Sequence, residues 1–372
     1  MCPLSLFFKE CFKAFVSSSL ISKPKYNTVS VLYKKWKKEP EQLKELKSKG
    51  VRVIYKNRTP KRKDKSLFSK LIKKINPSKS QKKYLEVIDD VKHFNMVVIS
   101  VGNHADASII PYTNYLERYQ IPYVIIVQLA TDLRNLSDTL LTQLIVAYKQ
   151  AKTVFFVSKE NSLKTEIQFG VFLENKSIIN NPFFYEQQYT PILTKEFNLA
   201  CVAAFTSFHK GQDMLIHVLG QEKWKKRDLR VNLYGDGANK QQLIRLIELY
   251  KLKETVIIKG FVSDKSTIWK ENIGCIMPSR MEGQSLAMLE AMSHGRMIIS
   301  TKVGDAERLV IDGKTGFLSE ALTIELLDSA LEEAWQKRSD WEQMGREGRE
   351  HLYKTITENP VVELSLKLES LL

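Results

Sequence analysis

The chain of 372 residues is 43% hydrophobic and 27% charged, the balance of a globular protein with two or three domains, and 16 Gly with 11 Pro exclude a collagen-like or low-complexity chain. Its formal charge of +15 is unevenly held: residues 1–190 carry 32 basic and 16 acidic side chains, residues 191–372 carry 25 and 26. All of the excess sits in the first half, so two units with different electrostatic roles are expected.

The opening, MCPLSLFFKECFKAFVSSSL, is apolar but cut by Lys9, Glu10 and Lys13. It lacks the unbroken apolar core of a signal peptide and reads as an amphipathic helix. TVSVLY (28–33) and VRVIY (51–55) are β-branched strands flanking the helix PEQLKELKSKG, which Gly50 ends. From 56 to 83 there are twelve Lys/Arg and a single acid, Asp64. Within that stretch Leu67, Phe68, Leu71, Ile72 and Ile75 recur at helical spacing, with Lys70, Lys73 and Lys74 on the other face. A basic amphipathic helix of this kind suits an anionic membrane surface, or else docks on its own domain. Nucleic acid is not an expected partner, because aromatics are sparse there and no recognised motif is present.

MVVISV (96–101), YVIIVQL (123–129) and TVFFVS (153–158) are continuous apolar runs separated by helix-length segments. Parallel strands buried on both faces have this pattern. NPFFYEQQYTPILTKE (181–196), with two prolines and no helical period, marks a domain boundary. The second half repeats the alternation: LACVAAF, RVNLYG, TVIIKG, GCIMPS and RMIIST are strand-like, and GQDMLIHVLG, NKQQLIRLIELYKL and SLAMLEAMSHG are helical. The fold class is therefore α/β, with two Rossmann-like doubly wound domains, 1–190 and 191–356, facing a cleft at the carboxyl ends of their strands. The four cysteines (Cys2, Cys11, Cys201, Cys275) form no Cys-x-x-Cys pair, and no apolar run reaches the roughly 20 residues of a membrane helix. A reducing, cytoplasmic setting is expected.

The chemistry concentrates in 277–318. Glu282 and Glu290 are separated by seven residues, and eight helical steps would leave them about 80° apart. Glu282 is therefore expected in the loop before a helix and Glu290 inside it, with Ser285 as the cap. The N–H groups of Gln284, Ser285 and Leu286 would then point out of the helix start, an anion site suited to a diphosphate. His294, just before Gly295, reads as a C-terminal cap of that helix. His209, His217 and His351 read as structural or surface residues, and no carboxylate or histidine cluster has metal-ligand spacing.

This stretch resembles the E-x7-E signature of family 4 retaining glycosyltransferases, which have the two-domain GT-B fold. HKGQDMLI (209–216), YGDG (234–237), GFV (260–262) and LVIDGKTGFL (309–318) resemble further segments of that family, in the same order. The resemblance implies that Glu290 holds the ribose of a nucleotide sugar and that Glu282 contacts the transferred sugar. It places Gly283, Gln284, Ser285 and Leu286 on sugar and phosphates, Gly235, Phe261 and Val262 on the nucleotide, and Lys210 on the leaving diphosphate. His104 would be a cleft histidine touching the donor sugar, with Gln128 and Asp132 at the same edge. No metal or other cofactor is implied. The implied partners are a nucleotide-diphosphate sugar (UDP or GDP) and a glycan or lipid-linked acceptor of envelope polysaccharide or lipopolysaccharide assembly, met at the inner membrane face. The tail 357–372 would cross back onto the first domain.

Three departures stand out. Ala204 lies where the family has an arginine six residues before the lysine, leaving Arg280 and Lys302 as nearby substitutes. Asp305 and Arg308 also depart from the family pattern, so no role is carried onto them. The sequence reads as opening with a helix rather than the strand and Gly-rich loop expected of the family. The alternative reading is a non-catalytic GT-B subunit that binds a sugar nucleotide or a partner enzyme.

Overall fold

Parallel strands dominate the structure, a computed structural model that describes residues 30–34, 52–56, 94–132, 135–183, 189–194, 196–356 and 359–372. The apolar opening, the helix expected before Gly50 and the basic stretch beyond Lys56 lie outside the described residues. β1 (Ser30–Lys34) and β2 (Arg52–Lys56) pair in parallel, Ser30 opposite Arg52 and Lys34 opposite Lys56.

The first large sheet takes its strands in chain order: β3 (Val97–Val101), β4 (Tyr123–Val127), β5 (Thr153–Phe156) and β6 (Lys176–Ile178), all parallel. Strand alternation sends Tyr123, Ile125 and Val127 to one face, where Leu144, Tyr148 and Phe169 of the crossover helices cover them. Val124, Ile126 and Phe155 go to the other face. There Leu364 and Leu368 of the last helix, Pro360–Glu369, close the core. Asn359 caps that helix, Pro360 opens it, and Lys367 Nζ donates to the Ile178 carbonyl at 3.0 Å. Burying Leu364 and Leu368 contributes about 1.5–3 kcal/mol each to holding the tail on the first sheet.

The second sheet contains β7 (Phe197–Val202), β8 (Leu229–Tyr234), β9 (Val256–Gly260), β10 (Gly274–Met277), β11 (Met297–Thr301) and β12 (Gly316–Ser319). Their spatial order is β12-β11-β10-β7-β8-β9, every pair parallel. Counted within the domain this is 3-2-1-4-5-6, the doubly wound order. The winding reverses between β7 and β10, so ligand is expected where the carboxyl ends of those two strands diverge. No helix among the described residues is long and apolar enough to cross a membrane.

Candidate active site

Two turns leave the sheet at the reversal point. After β7 the chain makes the single helical turn Ser207–Lys210 and then Gly211, at φ +64°. A Cβ at Gly211 would lie 1.8 Å from the Pro278 carbonyl oxygen, so only glycine lets this turn press against the one that follows β10. Arg280 fixes the same junction. Its guanidinium donates to the Ser207 carbonyl at 2.5 Å and to both Asp213 oxygens at 3.0 and 3.2 Å, and its backbone N–H donates to the His209 carbonyl.

The result is an ion pair at the switch point. Lys210 Nζ lies 2.5 Å from Glu282 Oε1, and the Ser279 hydroxyl donates to the same oxygen at 2.7 Å. Both side chains are largely buried, 21% and 13% exposed, so the pair is weakly screened. Beside it, burial and the Lys210 charge lower the His209 pKa, favouring the neutral imidazole. The two bases considered as substitutes for an arginine at 204 are committed elsewhere: Arg280 to Asp213, Lys302 to Glu320 and Glu307. The Ala204 carbonyl accepts a hydrogen bond from Gln212 Nε2 at 2.9 Å.

Glu290 lies inside the helix Leu286–Ser293, where Lys265 Nζ meets it at 3.0 Å. Leu286 and Val262 pack against the same apolar cluster beneath the cleft. The Gly235 N–H donates to the Gly260 carbonyl, joining the turns after β8 and β9, and the neighbouring Phe261 is 60% exposed. The carboxyl ends of β7, β8, β9 and β10 thus bring Lys210, Glu282, Glu290, Gly235, Phe261 and Val262 to one side of the domain.

The cap expected of Ser285 is not made, and Gln284 and His104 are bonded within the protein. Ser285 occupies the N-cap position, but its hydroxyl makes no cap; it lies 3.8 Å from the Met277 sulfur. Gln284 is buried, and its side-chain amide is bonded to the interdomain segment. Its oxygen accepts the Asn181 N–H at 2.5 Å, its nitrogen donates to Asn180 at 3.0 Å and Asp305 at 2.7 Å, and its carbonyl accepts from Asn181 Nδ2. Arg308 completes that node by bonding both Asp305 and Asn180. His104 is fully buried in the first domain. Asn103 forms a tight turn with the Ala105 N–H, and the His104 N–H bonds the Leu129 carbonyl. This turns the ring inward onto Phe169, at 5.7 Å, and the Gln168 side chain.

Gln128 borders the cleft through its backbone: a Cβ at Gly283 would lie 2.1 Å from its carbonyl oxygen. Asp132 is exposed. Among the described residues no group of three or more His, Cys, Asp or Glu could hold a metal ion. A groove of about 460 Å³ beside Glu196, Asn198 and Arg230 opens at the amino end of β7, the end opposite Lys210. Topology and charge, rather than cavity size, locate the site.

His294 does close the Leu286–Ser293 helix, but through its backbone N–H on the Glu290 carbonyl. Its ring is buried on Thr190, with Nδ1 2.6 Å from the hydroxyl. Burial, then the charges of Arg296 and Arg349, lower its pKa to about 4, so it is neutral and adds nothing to the helix dipole as a cation. Unfolding frees a histidine that titrates near 6.5, so the unfolded state binds more protons between those values. Stability should therefore fall by about 2–3 kcal/mol as pH drops from 7 to 4. Denaturant unfolding across that range checks this, and His294→Gln should remove that part of the slope.

Residues 196–337 match the sequence model of the family described as Glycosyl transferases group 1. The poly(ribitol-phosphate) alpha-N-acetylglucosaminyltransferase of Staphylococcus aureus is 25% identical over 161 residues, which are 43% of this chain and 32% of that one. The O-antigen biosynthesis glycosyltransferase WclY of Escherichia coli is 31% identical over 115 residues, 29% and 31% of the two chains. This chain thus spans about a third of each relative. HepE of Anabaena, solved in complex with UDP and glucose, superposes with a TM-score of 0.73 at 16% identity, covering 98% of this chain and 95% of HepE. The fold is GT-B. WaaB, a lipopolysaccharide outer core galactosyltransferase, gives a TM-score of 0.66 at 15% identity over 96% of each chain. Matched relatives of this GT-B protein thus include glycosyltransferases named for poly(ribitol-phosphate) and for O-antigen biosynthesis.

Proposed function

We propose that this GT-B protein is a retaining glycosyltransferase of the family 4 type. It moves a hexosyl group from a UDP- or GDP-sugar to a glycan or lipid-linked acceptor of envelope polysaccharide. The observation that carries this reading is the Lys210–Glu282 pair at the β7/β10 switch point. A departing nucleoside diphosphate gains negative charge in the transition state, and a fixed cation beside a helix start stabilises it there. Lys210 supplies the cation, and the free N–H groups before Leu286 supply the helix start. Glu282 exchanges its ammonium partner for hydroxyls of the transferred sugar, and Glu290 exchanges Lys265 for the ribose diol. The reaction needs no metal. The enzyme works at the cytoplasmic membrane face, where its basic segment 56–83 meets anionic lipid and the first domain receives acceptor.

The test is a thermal-shift screen with UDP, GDP and their sugar conjugates, with Glu290→Ala as the control. Ligand at 100 times its dissociation constant stabilises the native state by about 2.7 kcal/mol, which raises the midpoint measurably. One nucleoside diphosphate should produce this shift, and Glu290→Ala should lose it. Donor turnover should then proceed unchanged in EDTA. Ala204 favours the second reading, a non-catalytic subunit; binding of nucleotide without any turnover is the result that would establish it.

A further inference from the structure

Two turns of the second domain touch the first domain directly. Gly283 has no left-handed backbone that calls for glycine. Its reason is contact: a Cβ there would lie 2.1 Å from the Gln128 carbonyl oxygen, 2.7 Å from Val157 Cγ2 and 3.1 Å from Asn161 Nδ2. The second turn carries Gly304, at φ +68°, and lies on the backbone of the first, since a Cβ there would sit 2.1 Å from the Gly283 oxygen and 2.9 Å from the Glu282 oxygen. Facing both turns is the start of the first-domain helix Lys159–Phe169, capped by Ser158. Glu160, its second residue, uses its two oxygens differently. Oε1 pairs with Lys164 at 2.6 Å, one turn along the same helix, and Oε2 reaches across to accept the backbone N–H of Gly304.

We propose that Glu160 is a positioning residue that latches the two domains together. Its charge-assisted hydrogen bond holds the Gly304 turn, which backs Glu282, against the first domain. The acceptor side of the cleft is thereby set in register with the Lys210–Glu282 pair. The kinetic part of this proposal rests on the transferase reading; the latch itself does not.

The experiment uses the full chain and compares wild type with Glu160→Ala, Glu160→Asp, Glu160→Gln and Lys164→Met. Losing a charge-assisted hydrogen bond shifts the closed-to-open ratio about ten-fold. Glu160→Ala should therefore increase the radius of gyration in small-angle scattering and lower kcat/KM for acceptor about ten-fold. UDP and GDP affinity should stay within about two-fold, because the residues assigned to nucleotide lie in the other domain. Glu160→Asp keeps the charge but is one methylene short, so it should behave like Glu160→Ala. Glu160→Gln keeps an accepting oxygen without the charge and should recover the closed form only in part, and Lys164→Met should leave both readouts as in wild type. An unchanged radius of gyration in both Glu160→Ala and Glu160→Asp would overturn the latch. So would nucleotide affinity that falls in step with kcat/KM, since Glu160 would then act on the donor. Should wild type transfer no sugar, the scattering result still decides the latch while the transferase reading fails separately.

Discussion

Lys210→Met is expected to lower kcat for sugar transfer roughly 10²–10³-fold, the scale of losing a fixed charge aimed at a developing anion. The effect is large because nothing nearby can take over. Arg280 is held by Asp213 and the Ser207 carbonyl. Lys302 is paired with Glu320 and Glu307, and Lys265 with Glu290. Position 204 offers only a methyl group and a carbonyl already bonded to Gln212. The KM for donor should change far less than kcat, since the diphosphate carries less charge at the bond to sugar before that bond breaks. Lys210→Arg should retain part of the rate, because the charge remains although its geometry differs. Steady-state release of nucleotide measures all of these. A Lys210→Met enzyme within ten-fold of wild type would remove Lys210 from the chemistry and move attention to Arg280.

The alternation of strands and helices was legible because each strand is buried on both faces. TVFFVS, GCIMPS and RMIIST carry no polar alternation to confuse the pattern. The pair of acids was legible for a related reason: a strand, a Pro-Gly bracketed turn and a helix are local features, and they place Glu282 and Glu290 without knowledge of anything distant. What stayed hidden depends on partners far along the chain. The side-chain partners of Gln284 are Asn180, Asn181 and Asp305, and two of these lie about a hundred positions away. Asp305 and Arg308 had no family role to inherit, yet they hold that amide in place. His104 follows a strand as a cleft histidine would. Only the turn at Asn103 and the Phe169 ring decide that it faces inward. Glu160 gave no sequence signal, because its partner is a backbone N–H and any residue type supplies one.

Arg296 gave none either, and its replacement carries the largest expected loss of stability. The residue precedes β11, and its side chain has no exposed surface. A buried guanidinium ordinarily demands a carboxylate. Here backbone carbonyls take that place. Nε donates to Trp269 and Asn272, both at 2.8 Å, Nη1 to His294 at 2.6 Å, and Nη2 to Thr190 at 2.8 Å and again to Trp269. These oxygens end the helices Lys265–Glu271 and Leu286–Ser293 and the segment that arrives from the first domain. One cation thus closes two helix ends and ties down Thr190. Burial lowers its pKa only to about 10, so it stays charged at neutral pH. Arg296→Met removes every one of these hydrogen bonds and leaves four buried carbonyls without that donor. A loss of about 3–5 kcal/mol follows, enough to lower the thermal midpoint by roughly 8–15 °C for a domain of this size. Arg296→Lys should recover only part of it, because a single ammonium cannot span carbonyls arranged around a planar fork. Calorimetry would separate the cases, and an Arg296→Met midpoint within about 2 °C of wild type would mean that water or neighbouring groups satisfy those carbonyls, so that the arginine is dispensable to the fold.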